Sequence, residues 1–184
     1  STPQTQDLTF SRGYFSYNEM TEAKIRRAMA YYYATISQID HHVGRLVSLL
    51  KDKNLYDNTL ILYNSDHGDY MGYHHLLLKG NYMYEPLIRV PLIVKYPGQE
   101  QAGSVCDALV NSIDCAPTLL QSAGCAVPRH MAGANLLNLP DREFIFAESG
   151  NGHSYMVRSR QYKLLWCRDD VQSQLFDLDE DPYE

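Results

Sequence analysis

The chain has 184 residues, 45% of them hydrophobic and 21% charged, with a formal net charge of −6. The hydrophobic fraction is enough for a packed core, and the interspersed charges exclude a disordered chain. No block of Lys and Arg supplies an electrostatic footprint for nucleic acid, and no apolar run reaches the ~18–20 residues that span a bilayer.

The opening stretch from Ser1 to Asp7 is polar and carries neither the basic nor the apolar region of a signal peptide. The four cysteines (Cys106, Cys115, Cys125, Cys167) form no CxxC pair and no zinc spacing, which predicts buried or partly buried thiols. Among the 15 tyrosines, Tyr31, Tyr32 and Tyr33 fall in a helical pattern and are expected to pack.

In chain order, Ser16-Tyr17-Asn18-Glu19 reads as a capping box. Ile25, Met29, Tyr32, Ile36, Ile39, Val43, Leu46 and Leu50 then recur every three or four residues and predict a long amphipathic helix over 18–53, stopped at Asn54. Asp57-Asn58 supplies a turn. The apolar run from Thr59 to Asn64 predicts a central parallel strand covered on both faces. Val90 to Lys95 predicts a second strand, stopped by Tyr96-Pro97-Gly98, and Ala108-Leu109-Val110 a short third. Asp114 is placed as the N-cap of a helix with Pro117 in its first turn and Gly124 at its end. Asp107 and Asp114 read as caps or solvated charge. From residue 141 the pattern changes to four short strands, Glu143–Ser149, Ser154–Arg160, Tyr162–Arg168 and Gln174–Leu178, with Gly150-Asn151-Gly152 as the clearest turn. They predict a small antiparallel meander.

The chemistry-bearing segment is Ser65-Asp66-His67-Gly68-Asp69, directly after the first apolar run. Ligands of open α/β sheets bind beyond the carboxyl ends of strands. A carboxylate and an imidazole there, followed by a glycine, suit a metal site: Asp66 offers oxygen and His67 a neutral nitrogen. By itself Asp-His-Gly also fits an ordinary solvated turn. His74, His75 and Lys79 follow within a dozen residues, and a Lys near a divalent cation suits an anion such as sulfate or phosphate. His41-His42 are adjacent on the helix and so point to different faces. His130 and His153 are isolated in loops.

Taken together, Ser65-Asp66-His67-Gly68-Asp69-Tyr70-Met71-Gly72-Tyr73-His74, Lys79-Gly80, Tyr84-Glu85, Arg89 to Val94 and Tyr96-Pro97-Gly98 resemble the type I sulfatase family of the alkaline-phosphatase-like superfamily. Upstream, Tyr32-Tyr33-Ala34, Ile39-Asp40, Val43 to Leu46 and Asp57 to Ile61 extend the match. Downstream it continues through Ile113-Asp114, Ala116 to Leu120, Ala123-Gly124, Tyr162-Lys163-Leu164, Leu175 to Leu178 and Asp181-Pro182.

The resemblance implies an α/β fold: a partial alkaline-phosphatase-like mixed or parallel sheet with flanking helices, plus a small C-terminal antiparallel β subdomain. Residues 1–140 would belong to the α/β catalytic domain and 141–184 to the start of that subdomain. It implies that Asp66 and His67 ligate one divalent cation, Ca²⁺ in the first instance, with the histidine leaving room for Mn²⁺ or Zn²⁺. Lys79 matches the lysine that holds a sulfate oxygen and acts in catalysis, and His74 a substrate contact, although Tyr73 stands where the family commonly has Glu.

The family's nucleophile is the hydrate of a formylglycine made in a C/S-x-P-x-R motif, which this sequence lacks. Cys115-Ala116-Pro117-Thr118-Leu119 has the Cys and Pro but Leu119 in place of Arg, and it matches a later helix of the family. The expectation is therefore a fragment of a sulfuric-ester hydrolase. Its partners would be a sulfated small molecule or sugar and the N-terminal half of the same protein, with no nucleic acid and no membrane span. The family suggests a periplasmic or secreted protein. The isolated chain is expected to be inactive. A phosphonate or phosphate ester hydrolase of the same superfamily is the alternative, and a non-catalytic module with a degenerate site the second.

Overall fold

A computed structural model describes residues 20–99, 101–139, 141–150, 152–168 and 170–184. The Ser16–Glu19 capping box and Asn151 of the predicted turn lie outside them. The described residues form two compact units: 20–59 with 69–79 and 96–99, and 60–68 with 80–95 and 101–184.

The first unit is built on α1, Glu22–Asp52. Its N-cap is Thr21, whose side chain accepts from the Lys24 N–H, later than the predicted start at 18. Glu22 in the first turn and Lys51 in the last suit the helix dipole. At the far end Lys53 donates to Leu49 O and Leu55 to Leu50 O, while Asn54 turns to φ 57°. This left-handed stop is a conformation asparagine tolerates. The predicted stripe is present, but no residue of α1 is buried. Tyr31 and Tyr33 are 64% and 62% exposed, so the expectation that the tyrosine run packs is corrected.

The second unit holds two sheets. β1 (Ile61–Asn64) and β2 (Leu92–Lys95) pair antiparallel, with Ile61 opposite Lys95 and Asn64 opposite Leu92. Both predicted strands exist, but the expected parallel, doubly covered arrangement is corrected: β1 is half-buried throughout, and Ile93 on β2 is exposed. Residues 92–95 return beside 61–64 by way of α2 (Glu85–Ile88). Ala108–Val110 form no strand.

α3 spans Cys115–Ser122 and ends at Gly124, which has φ 72°. Asp114 does not cap α3 with its side chain. It instead closes a reciprocal box with Asn111 around the single turn Ser112–Asp114.

The C-terminal meander forms as patterned: β3 (Ile145–Ser149), β4 (Ser154–Arg158), β5 (Tyr162–Cys167) and β6 (Gln174–Asp177), all antiparallel in sequence order. Strict alternation along β5 buries Lys163, Leu165 and Cys167 and exposes Tyr162, Leu164 and Trp166. Against the inner face lies Tyr84, only 1% exposed. Its hydroxyl donates to Gln174 Oε1 at 3.1 Å, and its ring meets Phe176 edge-on. Burial pushes the Tyr84 hydroxyl pKa well above its ordinary value. No helix among the described residues is long and apolar enough to cross a membrane.

Candidate metal and anion site

The segment after β1 orders itself through short-range polar contacts. Ser65 Oγ donates to His67 O at 2.9 Å, and the His67 N–H donates to Asp66 Oδ1 at 2.9 Å. His67 Nδ1 lies 2.8 Å from Gly68 O. A carbonyl only accepts, so Nδ1 carries the proton. Nε2 then is the ring nitrogen that faces Asp66 Oδ2, at 3.4 Å. A backbone carbonyl that fixes the tautomer of a ligating histidine is the usual support of a metal site. The Asp66 side chain is 83% exposed.

Gly68 explains why this turn needs glycine. Its N–H donates to Leu87 O at 2.8 Å. A Cβ on Gly68 would overlap the Pro86 carbonyl oxygen. The backbone after His67 is therefore pressed directly against α2.

Two donor atoms suit a divalent cation, but they are fewer than the four to eight ligands such ions take, as a general rule. Among the described residues no group of three or more His, Cys, Asp and Glu could hold a metal. The chain thus fits part of a coordination sphere.

His74 and Lys79 belong to the other unit, in the loop Asp69–Lys79. This loop is closed by Tyr70 N–H to Leu78 O at 2.9 Å and Gly72 N–H to Leu76 O at 2.8 Å. Tyr70, Leu76 and Leu77 are buried within it. Met71, His74, His75 and Leu78 all have positive φ, between 46° and 64°. Left-handed backbone at a non-glycine residue costs roughly 1–2 kcal/mol, and such outliers cluster at ligand-binding segments. Asp69 Oδ1 accepts from the Met71 N–H at 2.8 Å and anchors the start of the loop. Sequence reasoning missed this role of Asp69; an aspartate two residues before a strained turn is its only sequence signal. His74 stacks edge-on against Tyr73 at 4.4 Å. Lys79 is half-buried at the end of the loop.

Cys115 is no activated nucleophile. Burial and the neighbouring Asp114 raise its thiol pKa, whereas reactive cysteines have lowered values. All four cysteines are free thiols, and the expected burial is corrected for Cys106 and Cys125, which are exposed.

Asp114, read from sequence as a cap or solvated charge, is corrected most sharply. It is 0% exposed and binds Arg142 through two 2.6 Å contacts. It also accepts from the N–H groups of Ala134 at 2.7 Å and Asn111 at 2.8 Å. Burial opposes its charge, but the guanidinium and the two N–H donors outweigh that and lower its pKa.

The family model for sulfatases (Sulfatase) matches residues 3–125. An arylsulfatase of Clostridium perfringens is 34% identical over 171 residues, covering 87% of this chain and 35% of the relative. Among solved structures, one is a protein in complex with its substrate D-glucosamine-2-N,6-O-disulfate. It is 27% identical with a TM-score of 0.72, covering 95% of this chain and 44% of that one. A phosphonate monoester hydrolase of Agrobacterium radiobacter is 25% identical with a TM-score of 0.78, covering 90% and 38%. The fold is alkaline-phosphatase-like, a mixed α/β structure with antiparallel sheets. The chain belongs to the sulfatase family. It spans about a third of the length of the curated relatives it matches. Enzymes of this family generally use formylglycine and a divalent metal.

Proposed function

We propose that this chain is the part of a sulfuric-ester hydrolase that supplies two metal ligands and a sulfate-binding lysine. The observation that carries the reading is the His67 ring. Its Nδ1–H is committed to Gly68 O, and its Nε2 lies 3.4 Å from Asp66 Oδ2. That pairing of donors fits one cation, with the remaining ligands contributed by residues outside this chain.

A bound divalent cation, Ca²⁺ in the first instance, would supply positive charge for a sulfate oxygen and for a formylglycine hydrate held outside this chain. Asp66 and His67 would hold that charge in place. Lys79 would oppose the remaining sulfate charge from the end of the Asp69–Lys79 loop, and His74 would contact substrate from the same loop. The neighbour bound to a sulfated glucosamine supports a sulfated sugar as substrate class. The likeness to a phosphonate monoester hydrolase supports the alternative, cleavage of phosphonate esters.

The test uses the full-length protein that carries this chain. Asp66→Asn and His67→Gln should each weaken metal binding by at least the about 10–100-fold that loss of a mere supporting partner costs, measured by calorimetry. Aryl sulfate should be turned over faster than aryl phosphonate. Unchanged metal affinity in both variants sinks the ligand assignment, and a far faster phosphonate rate overturns the sulfatase reading.

A further inference from the structure

The meander carries a charge cluster that the proposed chemistry does not use. Lys163 on β5 is fully buried, an environment a lysine occupies only when paired. Its Nζ lies 3.3 Å from Glu85 Oε1 and 2.5 Å from Glu184 Oε1. Arg158, its cross-strand partner on β4, donates from Nε to the same Glu85 oxygen at 3.2 Å. The Glu85 N–H in turn donates to Glu184 Oε2 at 2.7 Å. Two cations and two carboxylates therefore meet at the first residue of α2.

α2 is one turn long, and its other end touches the candidate metal loop. The Leu87 carbonyl accepts the Gly68 N–H at 2.8 Å. Pro86 leaves no room for a side chain at Gly68. Gly68 O then accepts His67 Nδ1. Polar contacts joined by the backbone of α2 and of Gly68 run from β4 and β5 through Glu85 to the His67 imidazole, all within one compact unit.

We propose that Glu85 and Lys163 are positioning residues: by seating α2 on the meander they set the Gly68 backbone, and through it the orientation of His67. The functional meaning of that orientation rests on the metal-site reading above; the mechanical coupling does not. A merely structural cluster would stabilise the meander without influencing Gly68 selectively. Removing one partner of a buried ionic group strands the others, so single substitutions should be felt strongly and the double change less than additively.

The experiment is amide hydrogen exchange on the full-length protein bearing Glu85→Gln, with Lys163→Met and the double variant alongside. Glu85→Gln keeps the side-chain size and is the deciding variant if Lys163→Met does not fold. The Gly68 amide should exchange at least about tenfold faster, an opening of local structure, while the Ala123 amide, which closes the end of α3, keeps its parental rate. Metal affinity should fall by about tenfold in the same variant, as for other supporting partners of metal ligands. A folded Glu85→Gln protein with parental Gly68 protection overturns the proposal, as does equal acceleration at Gly68 and Ala123. Faster Gly68 exchange in a protein that binds no divalent cation upholds the coupling and overturns the metal reading alone.

Discussion

Replacing Arg142 with methionine isolates a two-contact ion pair to a buried carboxylate. The substitution removes both 2.6 Å contacts to a carboxylate that is 0% exposed. Breaking such a pair from one side costs about 3–5 kcal/mol. Asp114 keeps its bonds from the Ala134 and Asn111 N–H groups, which places the expected loss near the lower end, about 3 kcal/mol. With a urea m-value of about 2 kcal/mol/M, the unfolding midpoint should drop by roughly 1.5 M at pH 7. The effect must also depend on pH in one direction. The folded Asp114 pKa lies below its unfolded value of about 3.9. Its contribution is therefore fully present above that unfolded value and lost as pH falls through the lowered folded value. The difference between parent and Arg142→Met should shrink toward zero in acid. Urea unfolding followed by circular dichroism at several pH values measures this. A loss under about 1 kcal/mol at pH 7, or a loss that does not change with pH, would refute the argument that this pair is buried and ionised.

Gly68→Ala should destabilise by about 1–3 kcal/mol, the usual cost of overpacking, because its Cβ must displace Pro86; thermal melting reads this, and parental stability would mean the contact relaxes freely. Asp69→Ala removes the acceptor of the Met71 N–H, so about 1 kcal/mol of loop order should be lost. In the full-length protein that should raise KM for an aryl sulfate about fivefold, and an unchanged KM contradicts it. Lys79→Ala should lower kcat by about 10²–10³, the usual worth of one positioned charge-stabilising donor; steady-state kinetics on the same substrate decides. Thiol labelling of the native chain should modify exposed Cys106 and Cys125 well before Cys115, whose pKa burial raises; mass spectrometry gives the order, and early Cys115 labelling would contradict its burial.

Local signals carried a large part of this protein. Short strand-like segments separated by polar breaks placed all four meander strands, and in β5 every second residue is buried. The 3.6-residue stripe located α1, and the left-handed tolerance of asparagine marked its end at Asn54. Asp66, His67 and Lys79 were legible because a carboxylate, an imidazole and a lysine recur after an apolar run in one order. Pairing and burial were another matter. Whether β1 meets β2 parallel or antiparallel depends on the path between them, and an apolar run reads the same either way. Asp114 looked like a cap because a residue's sequence neighbours do not reveal Arg142, 28 positions away, closing over it. The pressure of α2 on Gly68 and the Lys163–Glu85 contact between residues 78 apart arise from approach in space. Hydrophobic pattern and turn chemistry are properties of adjacent residues, so the sequence alone located α1, α3, β1, β2 and the meander strands and named the candidate donors. The buried charges and the backing of the Asp66–Gly68 turn were decided only by the tertiary structure, because each needs a partner from a distant part of the chain.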